Sequence, residues 1–317
     1  FDPYGGHADL EAQIIRAVGD PDRRFSEDAL RMLRACRFAA ELGFAIDPNT
    51  FEGMLANKGL LPRISTQRIT HELQRLLLGE HAGRALTATV DVLAAVLPEL
   101  VAMKGFEQRT PYHIYDVLEH TARVLDGVPP YPLVRWAALF HDMGKPAAFF
   151  TDEDGTGHFY GHARISVELA RGIMRRLSMP GSFSERVLEL VERHDDDIAS
   201  TSKAVKRALA RLGGDAELFA ALCDLKRGDA QAQAPRCIGR VALADELERI
   251  LEDEVFSLKQ LALGGRDVIA LGIEQGPRVG QALNAALEAV IDGHVSNDRD
   301  ELRAFVAAWR TEREDER

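Results

Sequence analysis

The chain has 317 residues, 46% hydrophobic and 28% charged, enough to bury one large core or two or three smaller ones, which excludes a disordered or peptide-like role. Lys and Arg total 39 against 50 Asp and Glu, and the resulting net charge of -11 excludes a uniformly basic nucleic-acid binder while permitting a local basic patch. Cys36, Cys223 and Cys237 are odd in number and form no close pair, which fits a reducing compartment and neither a disulfide framework nor a thiolate metal cluster.

No apolar run approaches the roughly 20 residues needed to cross a bilayer. Phe1-Asp2-Pro3 carries neither an initiator Met nor the basic and apolar regions of a signal peptide. The expectation is a cytoplasmic chain with no membrane contact, cut from a longer one.

Almost every segment places apolar residues at helical spacing, and alternating runs of Val, Ile and Thr are nearly absent, so the predicted fold class is all-α. Ser26 is placed as an N-cap, with Glu27 and Asp28 in the first turn, of a helix running to Leu42 and stopped by Gly43. Ser65 or Thr66 caps a further helix through Leu78, with Gly79 as its stop. The pattern repeats near 114–125, 133–141, 163–177, 185–194 and 216–231. Turns fall at Val128-Pro129-Pro130-Tyr131-Pro132, Asp152-Glu153-Asp154-Gly155, Pro180-Gly181 and Gly213-Gly214. Four blocks follow: 1–25, the end of something preceding; 26–105, an arginine-bearing helical block; 106–235, where histidines cluster; and 236–317, a helical tail whose charged end, Arg310 to Arg317, is expected to fray.

Within the third block, imidazoles and carboxylates recur as His120, His141, Asp142, His162, His194 and Asp229. These are ligands for divalent Mg, Mn, Fe or Ni, with no nearby cysteine to favour a softer ion. Neighbouring side chains on a helix diverge by about 100°, so His141 and Asp142 reach one ion only at a helix rim, with other helices supplying the rest. A metal held there would lower the pKa of bound water, and two ions bridged by Asp142 would hold the attacking and leaving oxygens of a phosphate ester. Lys145, four residues after His141, is placed on the same side to meet phosphate charge. The bland alternative for any single histidine is a satisfied core residue. His113 is left out as a cap or packing residue, and His158, in an acidic turn, is read as solvated. His141-Asp142-Met143-Gly144-Lys145, with the flanking ligands, resembles the signature of HD-domain metal-dependent phosphohydrolases, which implies that His141, Asp142 and Lys145 are catalytic.

In the second block, Arg31, Arg34 and Arg37 follow Asp28 at steps of three, so all four are expected on one slowly winding face, with Leu30, Leu33 and Phe38 towards a core. From pattern alone, the favoured reading is a solvated face whose arginines pair with Glu27 and Asp28. The set Asp2-Pro3-Tyr4-Gly5-Gly6, Asp9-Leu10, Ile15-Arg16-Ala17-Val18-Gly19-Asp20-Pro21 and the Glu27-Asp28 helix resembles the class II tRNA nucleotidyltransferase (CCA-adding enzyme) and poly(A) polymerase family. The likeness continues through Thr66-Gln67-Arg68-Ile69, Glu72-Leu73, the HD block, Gly264-Gly265-Arg266-Asp267 and Gly272-Ile273-Glu274-Gln275-Gly276-Pro277.

The resemblance implies neck and body helices, an HD helical bundle and a helical tail, with a short remnant of an α/β head at the N-terminus. It implies that Asp28 and Arg31 read the Watson–Crick edge of CTP or ATP, that Arg34 and Arg37 help hold the nucleotide, and that Glu27 orients Arg31. Its partners are tRNA or another RNA 3′ end. The family also needs a head with a glycine-rich loop and paired aspartates. Asp152-Glu153-Asp154 reads as a surface turn and not as that pair, so nucleotidyl transfer by these residues alone is not expected. The alternatives are a free-standing HD phosphohydrolase or cyclic phosphodiesterase, and a non-enzymatic helical RNA-binding module. Lys203, Lys206, Arg207 and Arg211 form a basic stripe suited to an RNA backbone, and the helix opening after Gly276-Pro277 is read as structural.

Overall fold

A computed structural model describes residues 2–112, 114–234, 238–253, 258 and 260–315; Phe1, His113, Cys237, Glu316 and Arg317 lie outside the described residues. Helices dominate, as the periodicity requires. In chain order they are α1 (Gly6–Glu11), α2 (Pro21–Glu27), α3 (Leu30–Leu42), α4 (Pro48–Asn57), α5 (Thr66–Leu77), α6 (Ala82–Leu93), α7 (Val117–Gly127), α8 (Pro132–Phe140), α9 (Lys145–Ala148), α10 (His162–Arg176), α11 (Gly181–Arg193), α12 (Ser202–Arg211), α13 (Ala216–Ala232), α14 (Ile238–Asp253), α15 (Gly265–Ala270), α16 (Pro277–Ile291) and α17 (Arg299–Asp315). Among the described residues, strands are confined to a parallel pair, β1 (Ile14–Ile15) with β2 (Ala45–Ile46), and an antiparallel hairpin, β3 (Phe150–Thr151) with β4 (Gly157–His158). No helix among the described residues is long and apolar enough to cross a membrane.

The chain divides into two units, one of residues 1–196 with 221–244 and one of 197–220 with 245–317. In the first, the β1–β2 pairing ties the N-terminal segment to the residues after α3, and Ala17 N–H donates to Thr50 Oγ1 at 3.0 Å beside it. Met32, Leu33 and Cys36 of α3 meet Leu73, Leu76 and Leu77 of α5 and Leu86, Val90 and Leu93 of α6 in a buried core. The core continues across α7 to Trp136 and Phe140 of α8. In the second unit, Val268, Ile273, Ala282, Ala286, Leu302 and Val306 bury one cluster between α15, α16 and α17.

Two local expectations are corrected. Ser26 is no N-cap: it lies inside α2, which starts earlier because Asp20 accepts from Arg23 N at 2.9 Å and Pro21 supplies a preset first turn. The helix then breaks at Asp28 (φ -151°, ψ 102°), whose carboxylate accepts from Leu30 N at 3.1 Å and restarts the chain as α3. The basic stripe of α12 is also less uniform than its spacing suggests, with Arg207 and Arg211 exposed and two lysines facing acids. Lys203 pairs with Asp292 at 2.9 Å, and the buried Lys206 ammonium lies 3.2 Å from Glu288, both on the α16 side of the same unit.

The approach of α6 to α7 depends on one glycine. A Cβ at Gly83 would sit 1.9 Å from the Ala122 carbonyl oxygen, and Gly83 N–H donates to Asp126 Oδ1 at 2.7 Å. Gly83→Ala must therefore push the two helices apart, and urea unfolding should show a loss of about 1–3 kcal/mol. Gly172→Ala, in the exposed interior of α10 with open space around it, should instead gain about 0.5–1 kcal/mol; equal effects would refute the packing account.

Candidate metal centre and nucleotide pocket

His120 comes from α7, His141 from the C-cap of α8, Asp142 from the turn after it, His162 from the first position of α10, His194 from the C-cap of α11 and Asp229 from α13. The helix-rim placement required of His141 and Asp142 is present. All six sequence-selected side chains converge. They form two groups sharing Asp142: His120, His141, Asp142 and Asp229 in one, and Asp142, His162 and His194 in the other. Asp142 Oδ2 lies 3.2 Å from both His120 Nε2 and His141 Nε2, and its Oδ1 lies 3.3 Å from His162 Nε2 and 3.7 Å from His194 Nε2. Asp229 Oδ1 stands 3.0 Å from His120 Nε2.

The outer ring nitrogens are fixed by backbone. Nδ1 of His141, His162 and His194 faces the carbonyls of Ala138 (2.8 Å), Phe159 (3.0 Å) and Val191 (2.7 Å). A carbonyl only accepts, so each Nδ1 carries the proton, and each Nε2 lone pair is aimed inward, as in histidines that ligate metal. The consequence is a crowd of acceptors. His162 and His194 Nε2 are 3.1 Å apart, and those of His141 and His120 are 3.4 Å apart. Such pairs repel unless a proton or a cation lies between them. The charge balance among these residues reflects that need. Burial opposes a charged His120, yet its bonds to Asp142 and Asp229 outweigh burial and hold its pKa up at about 9. His162 is likewise raised against burial by Asp142, whereas burial keeps its neighbour His194 low. Burial would also raise Asp142, but the charges of His141 and Lys145 drive it well below the usual carboxylate range. Oxygen and imidazole donors of this kind fit a divalent Mg, Mn, Fe or Ni ion.

Gly144 sets the backbone course of this turn: a Cβ there would meet the His162 carbonyl at 2.4 Å, and Gly144 N–H donates to Ser166 Oγ at 2.8 Å. Lys145 is buried, with Nζ 2.7 Å from Asp142 Oδ2 and 2.9 Å from Gln108 Oε1. Its ammonium braces the shared carboxylate while also lining the cleft. Sequence reasoning missed Gln108; Lys226, which donates to the carbonyls of His194 and Asp196; and Gln233, which donates to Asp229 Oδ2 at 2.8 Å. Gln108 and Lys226 have no spacing signal, because each acts on a residue brought near only by folding, whereas Gln233 follows Asp229 at the one-turn spacing of a helix and was open to detection. An open cleft of about 580 Å³ leads to the centre, walled by Thr110–Tyr112, Thr156–His162 and Arg240.

A separate cavity of about 230 Å³ lies where β1 meets α2 and α3, lined by Ile15–Val18, Arg24, Phe25, Arg31, Arg34, Phe38 and Thr50. Arg31 is fixed at it: Nη1 donates to Glu27 Oε2 at 2.8 Å and to the Arg24 carbonyl at 2.7 Å. Arg34 is exposed in the same cavity. The expected single face does not hold for the other two. Asp28 sits in the break before α3, where Oδ2 accepts from Arg68 at 2.9 Å. Arg37 is buried behind, 3.3 Å from Glu72 and over the Phe38 ring.

Residues 111–250 match the HD domain family, and residues 43–103 match a family described as "Probable RNA and SrmB- binding site of polymerase A". Over 330 aligned positions the chain is 34% identical to the A-adding tRNA nucleotidyltransferase of Deinococcus radiodurans, covering 98% of this chain and 74% of that protein. It is 35% identical over 333 positions to the CC-adding tRNA nucleotidyltransferase of Thermus thermophilus, covering 99% and 74%. Its backbone superposes on the Bacillus stearothermophilus CCA-adding enzyme, crystallised in complex with CTP, with a TM-score of 0.66 at 26% identity, covering 100% of this chain and 70% of the other. The Thermotoga maritima CCA-adding enzyme, complexed with tRNA, shares the fold with a TM-score of 0.53 at 17% identity, covering 96% and 67%.

Because Asp142 faces both ligand groups, its loss should disable both. Mn²⁺ or Ni²⁺ at 100 times its dissociation constant should stabilise the dialysed wild-type protein by about 2.7 kcal/mol in thermal unfolding. Folded Asp142→Ala should show no such gain and retain no metal on elemental analysis. A wild-type protein that neither retains nor responds to these ions would refute the centre.

Proposed function

The chain belongs to the tRNA nucleotidyltransferase family, and from that premise we propose that it selects CTP or ATP and holds the 3′ end of tRNA or a related RNA for CCA addition or adenylation. The observation that carries this reading is the cavity at β1, α2 and α3, where two guanidiniums, Arg31 and Arg34, share a space with Phe25 and Phe38 and Arg31 is locked by Glu27. Cytosine and adenine each present an exocyclic amine beside a ring-nitrogen acceptor. A carboxylate accepting from the amine and a guanidinium donating to the ring nitrogen therefore suit both bases, and this pattern rejects uracil and guanine. Asp28 and Arg31 take these roles, with Arg68 holding Asp28 and Glu27 holding Arg31. Arg34 meets the nucleotide's negative charge. Arg37 supports α3 through Glu72 and does not reach the nucleotide. Transfer itself is assigned to the glycine-loop and paired-aspartate head that the family resemblance calls for.

The HD centre supports a second activity, hydrolysis of a phosphate ester such as a 2′,3′-cyclic nucleotide or a phosphomonoester. His120, His141, Asp142, His162, His194 and Asp229 would hold one or two divalent ions. A bound ion supplies Lewis-acid charge and a water of lowered pKa. The chain's own part is to fix the Nδ1–H tautomers through backbone carbonyls, to keep Asp142 ionised through Lys145, and to present the ester through the adjoining cleft.

Titration calorimetry should show CTP and ATP binding in preference to UTP and GTP. Arg31→Ala should reduce that preference about 10- to 100-fold, the loss of a charged hydrogen bond, with little effect on unfolding; selection that survives the substitution would defeat the assignment. With Mn²⁺, Ni²⁺ or Mg²⁺ the wild-type protein should hydrolyse 2′,3′-cyclic AMP, at a rate at least about 100-fold above Asp142→Ala, as expected where a metal supplies several kcal/mol. Absence of hydrolysis with all three ions would remove the second activity.

A further inference from the structure

The wall of the HD cleft carries aromatic rings that neither the metal ligands nor the core requires. The β3–β4 hairpin pairs Phe150 directly with His158, and Tyr160 follows two residues on, so all three fall on one face by the two-residue period of extended chain. The rings gather accordingly. Phe150 and His158 lie 5.3 Å apart and 27° from parallel, His158 and Tyr160 lie 5.5 Å apart and 20° from parallel, and Phe150 and Tyr160 are 5.7 Å apart. Asp152 organises the turn: its Oδ1 accepts from Asp154 N and Thr156 N, and its Oδ2 lies 2.8 Å from His158 Nε2, fixing the imidazole plane. Tyr160 is nonetheless 77% exposed and Phe150 47% exposed. Two near-parallel pairs share the His158 ring, with Phe150 and Tyr160 tilted by 46° to each other, and beside a charged cleft the exposed Tyr160 offers a flat π-face to a ligand. His158 and Tyr160 line the same cavity as Asp142, Lys145, His162, His194, Asp229 and Arg240.

We propose that His158 and Tyr160, backed by Phe150, form a nucleobase subsite of the HD cleft. The ester taken there is then a nucleotide or the terminal nucleotide of an RNA, in place of a sugar phosphate. This rests on the phosphohydrolase reading of the centre and names the side chains that hold the base of its nucleotide ester. Stacking on an aromatic side chain is worth about 1–3 kcal/mol per base, so a ligand with a base gains roughly 5- to 150-fold over one without.

The test uses the full chain carrying Arg31→Ala, so that the separate nucleotide cavity does not contribute, titrated in chelator with adenosine 3′-monophosphate and with ribose 5-phosphate. The base-bearing ligand should bind at least about fivefold tighter. Adding Tyr160→Ala should cut that preference about tenfold, and Tyr160→Phe should restore it. With metal, Tyr160→Ala should raise KM for 2′,3′-cyclic AMP more than it lowers kcat. Equal affinities, no measurable binding of adenosine 3′-monophosphate, or a Tyr160→Ala loss shared equally by both ligands overturns the subsite. If the base preference stands while wild-type protein hydrolyses nothing, the phosphohydrolase reading fails and the subsite survives as a binding site.

Discussion

Burying a carboxylate costs several kcal/mol unless opposite charge and hydrogen bonds surround it, and Asp142 is 1% exposed at the meeting point of five helices. Its compensation is built from parts that are far apart in sequence: His120 on α7, Lys145 on α9, His162 on α10 and His194 at the end of α11. The helices are constrained in turn, because His141, His162 and His194 each present Nε2 inward by giving Nδ1–H to a carbonyl of their own segment. Lys145 alone cannot balance the site. Asp229 adds a second, partly buried carboxylate, and the two together draw positive charge that protons on His120 and His162 or a divalent cation can supply.

The arginine pocket uses the same logic at the surface and with the signs exchanged. Glu27 gathers Arg24 and Arg31 at 2.6 and 2.8 Å, and Arg68 holds Asp28 at 2.9 Å. At this exposure such pairs add little stability. What they contribute is position, since a guanidinium already bound on one edge keeps its remaining donors in a fixed fork. The buried Arg37 to Glu72 contact differs in kind: it joins α3 to α5 beneath the pocket and leaves no donor facing it.

The convergence of the six candidate ligands was legible because the chemistry narrows the alphabet: few side chains ligate divalent ions, and their clustering survives without knowledge of the fold. The all-α class was legible for a similar reason, since a 3.6-residue period persists along each segment. The arginine face was misread for two reasons: Asp28 lies in a break before α3, and each step of three lags about 60° on an α-helix, which carries Arg37 about 120° round from Arg31 and into the core. Ser26 lost to Asp20-Pro21 as the start signal for the same stretch. Gln108, Lys226 and Arg68 were illegible in principle, as each acts on a residue dozens of positions away and carries no local pattern. His158 was read as a solvated residue in an acidic turn; the hairpin register that sets it opposite Phe150 is a tertiary fact.

The net charge of -11 takes its meaning from these contacts. Glu27, Asp28, Asp142, Asp152 and Asp229 each hold a cationic or ring-nitrogen group in one orientation. Lys203 and Lys206 show the contrary case, in which acidic partners on the α16 side occupy the ammonium groups and leave little charge for a phosphate backbone. An acidic chain can therefore recognise an anionic ligand, provided its carboxylates lie behind the cations and the cations' free edges face the cavity. Arg31 meets that condition because Glu27 and the Arg24 carbonyl occupy one edge of its fork at the wall of the cavity.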